Sequence, residues 1–356
     1  MKQLSQVYLI LLLLAALQGC SSMSYYTQAI SGHVSLMMRS EPVDEVLLQP
    51  DTPPELSQAL SVAQAARLFA EQTLKLPVGG AFSSFVPLEH PWVVVNLIAA
   101  PEFSLTPKQW CYPFVDCQAY RGYFDLAKAK QAQKQFDDNG YDTFIGAVTA
   151  YSTLGWFDDP LHTGFTNLSE DRMVALMFHE LAHRVVYLKG DTAFNESFAT
   201  AVELEGLRLW LEREGQPEAF ERALLRLEHR NQTLELVGET SKVLRRLYQQ
   251  RNALELDQLR LRKQQTLDDL ADQYAALSSN YPEPGPFGSA PVQLNNAKLA
   301  LFQQYNQYVP AFRQLLKDSG YEFNRFYEAV SRLSEQPEAE RGDTLNALSK
   351  RFHEHL

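Results

Sequence analysis

Residues 179–183 read His-Glu-Leu-Ala-His, two histidines four apart with a glutamate next to the first. On a helix, residues i and i+4 share a face one turn apart, so the imidazoles of His179 and His183 can reach one metal ion. Glu180 then lies close enough to take a proton from a water molecule at that ion. A little further on, Asn195-Glu196-Ser197-Phe198-Ala199 follows a turn at Gly190. His183 precedes that glycine by seven residues and Glu196 follows it by six. At ~1.5 Å rise per residue both lie ~10 Å from the turn, so two antiparallel helices bring them to one height. Glu196 is therefore the natural third ligand, and the ligand set points to one Zn²⁺ per chain. Glu203 is two turns beyond Glu196 and level with His179, where it either orients that ligand or stands in solvent. Three protein ligands leave room for water, as a catalytic zinc requires, whereas a structural zinc normally takes four, often cysteines.

These residues need two helices to hold them. Ser169 with Glu170 and Asp171, or Asn167 with Glu170, can cap the first. Val174, Phe178, Leu181, Val185 and Leu188 give it an apolar stripe, and Gly190 is its expected stop. Asp191-Thr192 can start the second. Upstream, helices are expected over 26–40, 56–76 and 125–138, and strands over 83–88, 92–98 and 143–149. The pattern from Asn167 onward is almost wholly helical. Apolar residues at spacings of three and four over 217–279 suggest one or two long helices packed as a hairpin. Residues 281–291, rich in proline and glycine, form a loop, and helices at 294–317, 321–335 and 338–353 follow. The expected fold is α+β and mainly helical. It comprises a catalytic domain with a small N-terminal β-sheet, the helix of the first motif, a following helix bearing Glu196, and a long helical hairpin or cap.

The two motifs together, His-Glu-x-x-His and Asn-Glu-x-x-Ala, resemble those of the gluzincins, a clan of zinc peptidases. The resemblance implies a zincin-like catalytic domain in which His179, His183 and Glu196 bind zinc and Glu180 activates water. The gap between the motifs is shorter than in the thermolysin-like enzymes. A closer resemblance covers most of the chain. Trp110-Cys111 to Cys117, Tyr120-Arg121-Gly122-Tyr123-Phe124, residues 150–160, the metal motif and Leu294-Asn295-Asn296-Ala297 are similar to a family of bacterial lipoproteins labelled putative aminopeptidases. That resemblance implies a peptide or protein substrate.

A peptidase also needs a donor for the oxyanion. Tyr151 is the preferred candidate because it follows the strand expected at 143–149; His162, Tyr305 and Tyr308 are the others. Asp158 and Asp159 could hold a substrate ammonium or simply form an Asp-Asp-Pro turn. Exopeptidase and endopeptidase both stay open, and so does a non-catalytic zinc-binding scaffold or adaptor that uses the long helices to bind a partner. Asn295 and Asn296 read best as helix caps.

The chain has 356 residues, a net charge of −11 and a pI near 5.3. An acidic chain without a basic stripe excludes nucleic acid as the main partner. The amino terminus reads as an export signal over residues 1–19. Lys2 precedes the apolar run Val7–Leu17, which is too short to span a bilayer. The run ends in Leu17-Gln18-Gly19-Cys20, which looks like the lipobox of bacterial lipoproteins. Cys20 is the expected lipidation site, residues 20–25 a tether, and 26–356 a single metallopeptidase domain with a helical insertion or cap at about 217–279. Ser21 and Ser22 after Cys20 suit the outer-membrane sorting class, so a place in the cell envelope facing the periplasm is expected. Export puts Cys111 and Cys117 in an oxidising compartment, where they can close a small disulfide loop.

Overall fold

The computed structural model describes residues 25, 27–112, 116–148, 158–302 and 308–354. Helix α1 covers 27–38. There follow β1 (Glu41–Pro42), α2 (Val43–Leu48), α3 (Pro54–Gln72), β2 (Ser84–Val86) and β3 (Val94–Pro101). Next come β4 (Trp110–Tyr112), β5 (Asp116–Gln118), β6 (Arg121–Tyr123), α4 (Leu126–Asp137), β7 (Tyr141–Val148), β8 (Leu161–His162) and α5 (Thr163–Thr166). The remainder is helical: α6 (Glu170–Ala182), α7 (Thr192–Arg213), α8 (Phe220–Gln249), α9 (Leu256–Ser278), α10 (Asn296–Phe302), α11 (Val309–Asp318), α12 (Phe323–Ser334) and α13 (Glu338–Glu354). The expected coarse class, α+β and mainly helical with small sheets, is what is found.

Among the described residues the strands form three small sheets. β3 is central in the order β6-β3-β7, and pairs antiparallel with β7 from Val94↔Val148 to Pro101↔Tyr141. Its run of Val, Leu, Ile and Ala is buried on both faces, as a central strand requires. A second sheet has the order β1-β2-β8, with β2 and β8 parallel. β4 and β5 make a two-stranded ribbon closed by the Cys111–Cys117 disulfide.

Among the described residues, two apolar cores hold most of the helices. The larger joins α3, α6, α7 and the C-terminal helices, with Phe69 between Phe178 (5.9 Å) and Trp210 (5.5 Å). The second lies between α8 and α9 and under the 281–291 loop, around Leu244, Leu270, Tyr274 and Phe287. A buried polar network ties this hairpin to the β3–β7 sheet. Lys263 Nζ pairs with Asp142 at 2.7 Å, Asp142 accepts from Asn296 N at 2.8 Å, and Tyr248 donates to Asn296 Oδ1 at 2.7 Å.

The sequence expects one helix over 294–317, but two are described. α11 starts at Val309 with Pro310 in its first turn, the part of a helix that tolerates a proline because the N–H there needs no partner. Asn295 caps α10, accepting from Lys298 N at 2.9 Å, and its amide also donates to Thr143 O of β7 at 2.8 Å.

Candidate metal centre

α6 presents the first motif. Ser169 is its N-cap residue, and Glu170 and Asp171 sit in the first turn, where negative charge suits the helix dipole. Arg226 of α8 pairs with Asp171 at 2.8 Å. Met173, Val174, Met177, Phe178 and Leu181 are buried, while His179 and His183 meet α7 through Glu196.

The helix does not run on to Gly190. It ends at Ala182 with His183 as its C-cap, and the chain to Asp191 is irregular. Val185-Val186 are β-branched and weak helix formers. Tertiary bonds outcompete the helix there: Asn195 Oδ1 accepts from Leu188 N and Asn195 Nδ2 donates to Leu188 O, both at 2.8 Å, while Arg184 Nη1 donates to Val78 O at 2.9 Å. Gly190 keeps a turn role, with a φ of +85° that favours glycine. Asp191 then caps α7, accepting from Phe194 N at 3.0 Å.

α7 carries Glu196 and Glu203 on one face, two turns apart. One donor atom from each of His179, His183 and Glu196 lies within 4.8 Å of the others. His179 Nε2 is 3.4 Å from Glu196, His183 Nε2 is 3.8 Å from it, and the two rings stand at 82°. Behind them, His179 Nδ1 is 3.0 Å from Glu203 Oε2, which leaves Nε2 to face the cluster. His179 and Glu196 are partly open, at 14% and 25% side-chain exposure.

The electrostatics suit a cation. Burial opposes charge on His179, but Glu196 and Glu203 together overcome it and raise its pKa well above the ordinary histidine value. A place that draws a proton between an imidazole and two carboxylates attracts positive charge generally. Burial, helped by the charge of His179, lowers the His183 pKa to about 4, so its imidazole is neutral with a free lone pair. Glu180 is pushed up to about 7 by burial, with Glu196, Asp159 and Glu203 adding to the rise and His179 opposing it. Two neutral or shared imidazoles and a carboxylate are the donors of a zinc site with an open position, so these residues fit that ion.

The other expected positions fall differently. Tyr151, Tyr305 and Cys20 lie outside the described residues. His162 is buried and its Nδ1 accepts from Gly164 N at 3.0 Å, which makes it the cap of α5. Tyr308 leads into α11, its N–H donating to Ser197 Oγ at 3.1 Å. Asp158 accepts from Gly80 N at 3.1 Å and lies 3.9 Å from Arg184, so it ties down the 78–80 turn. Asp159 is buried, and its charge is felt at Glu180.

Two further residues couple electrostatically to the centre. Tyr187, on the 184–191 segment, is half exposed, and its hydroxyl pKa is raised by burial and by the charge of Glu196. Its signal was in the sequence, since it follows His183 by four residues. Arg230 of α8 contributes positive charge at Glu196. Nothing local in the sequence connects these two, which lie on different helices.

The fold and the cluster thus define a mainly helical α+β protein with a candidate metal centre of two histidines and a glutamate. Residues 24–345 match the model of the family described as putative aminopeptidase, and the chain belongs to that family. No curated protein and no solved structure matches it.

Proposed function

We propose that this protein is a zinc-dependent aminopeptidase of the cell envelope, with zinc held by His179, His183 and Glu196. The observation that carries this reading is the convergence of those three donors within 4.8 Å, with the half-buried Glu180 next in sequence to the first. Bound zinc supplies Lewis acidity, lowering the pKa of water to ~7 and polarising a carbonyl. Glu180 accepts the proton of the attacking water at its carboxylate and passes it to the leaving amine. Its raised pKa suits that exchange near neutrality. Glu203 holds His179 Nδ1 and so fixes the orientation of that ligand. Tyr187, half exposed beside Glu196, is the hydroxyl donor for the oxyanion. The acidic surround of Glu180, Glu196, Glu203 and Asp159 favours a cationic substrate end, in keeping with a free amino terminus.

The apolar run ending at Gly19-Cys20 supports an acyl anchor on Cys20, with the catalytic region on the periplasmic side of the outer membrane. Cys20→Ser is expected to abolish incorporation of labelled palmitate, and continued labelling would remove the anchor.

The deciding experiment is metal content by mass spectrometry beside a Glu196→Ala variant, followed by assay on free and amino-blocked peptides. One zinc per chain, lost in the variant, with turnover of free peptides alone, is the expected result. Turnover of blocked peptides would make the protein an endopeptidase. Absence of bound metal after zinc reconstitution would sink the peptidase reading and favour a scaffold.

A further inference from the structure

Helix α1 has two faces of opposite character. One is docked on the β3–β6 sheet. Gln28 is buried and clamps β6, donating to Gly122 O at 3.3 Å and accepting from Phe124 N at 3.2 Å. Gly32 lies against the Phe124 ring so closely that a Cβ there would collide with it. Leu36 completes this face at 6% exposure. Residues 28, 32 and 36 follow one another at four-residue spacing, so they form one stripe along the helix.

Ile30, Val34 and Met38 repeat the same spacing two residues further on, about 200° around the helix axis. They therefore point away from the docked face, and they are 63%, 47% and 82% exposed. Scattered exposed apolar residues need no explanation, but a stripe opposite a docked face has no internal cause.

The occupant is indicated by what precedes the helix. Cys20 is only seven residues before Thr27, so the start of α1 stays within about 25 Å of Cys20 even if the chain between them is fully extended. An acyl group at Cys20 holds the stripe at the bilayer, where local concentration makes even a weak contact form. A second copy of the chain is a poorer fit, because three side chains fall well short of the ~800 Å² per partner that a stable dimer buries.

We propose that the Ile30–Val34–Met38 face of α1 rests in the interface of the membrane to which Cys20 is anchored, and so sets the orientation of the whole molecule on that surface. The proposal rests on the anchor in the preceding reading and is independent of the metal centre.

The test uses the full, processed chain on vesicles of phosphatidylethanolamine and phosphatidylglycerol. Oxidation of Met38 by a water-soluble oxidant is followed by mass spectrometry in the wild type and in Ile30→Asp/Val34→Asp. The expected result is oxidation about 5-fold slower in the wild type, unchanged when protein is diluted among more vesicles, since an interfacial face is withdrawn from water. Hydroxyl-radical labelling of the exposed Leu261 and Tyr321 should be the same in both chains, which checks the fold. Equal oxidation rates would overturn the proposal. Protection that disappears on dilution would assign the stripe to a second copy and also overturn it. An intact mass without acyl chains on Cys20 would remove the anchor and the proposal with it, and is read separately from the oxidation rates.

Discussion

At the scale of single residues, the proposed function separates metal binding from proton transfer. His179, His183 and Glu196 converge as donors, while Glu180 lies next to them in sequence but outside the donor cluster. Replacing Glu180 by glutamine keeps shape and removes the base. We expect zinc content to stay at the wild-type level and turnover to fall by at least ~10³-fold, read as kcat with KM little changed. Retained activity would take Glu180 out of its role. Tyr187→Phe removes one hydroxyl from a half-exposed ring. Here kcat should fall by ~10²-fold or more, and a phosphonate peptide should bind correspondingly less tightly by calorimetry, with zinc content unchanged. Undiminished phosphonate binding would pass the donor role to another group.

At the scale of elements, the centre depends on how closely α7 approaches α6. Gly206 permits that approach: a Cβ there would come within 2.8 Å of Phe178 and Leu74 side-chain atoms. Phe178 is the neighbour of His179, and Glu203 sits one turn before Gly206. Gly206→Val should cost about 1–3 kcal/mol by overpacking and should weaken zinc retention against a chelator. A variant of wild-type stability and zinc retention would show that the helices can part without moving the ligands. The segment between the helices is set the same way, by Asn195 holding both backbone groups of Leu188. It places Tyr187 next to a fixed point of the chain rather than on a fraying helix end.

At the scale of the whole molecule, stability should depend on pH through a residue away from the candidate metal centre. His162 is buried, and burial lowers its pKa to about 4. Its neutral Nδ1 caps α5, and the Phe165 ring packs edge-on against it at 4.9 Å. Because the folded value lies below the unfolded one, protons bind the unfolded chain first. Its contribution is constant above the unfolded value, falls by about 1.4 kcal/mol per pH unit as pH drops toward about 4, and then levels off. Urea titrations between neutral pH and about 4.5 should show a smaller loss in His162→Asn, which keeps a cap acceptor but does not titrate. Equal losses in the two chains would assign the acid sensitivity to other groups.

How far the sequence reached depends on the range of the forces involved. Helix periodicity, caps and prolines are local, and they located α3, α4, α7, the α8–α9 hairpin and the strands β2, β3 and β7 within a few residues. The order His179-Glu180…His183…Glu196 is likewise written in the chain, so the candidate ligands and base could be named before any fold was known. Local pattern failed where distant groups decided the outcome. The stripe through Val185 and Leu188 suggested a helix to Gly190, but the Asn195 side chain and Val78 carbonyl took the backbone and guanidinium groups instead. Only the packing of α7 on α6 set the donors within 4.8 Å and turned Glu203 onto His179, and only the closed fold let the charge of Arg230, on a third helix, act on Glu196. Residue identity and local spacing are carried by the sequence itself; distances between elements exist only once the cores close and choose which faces meet.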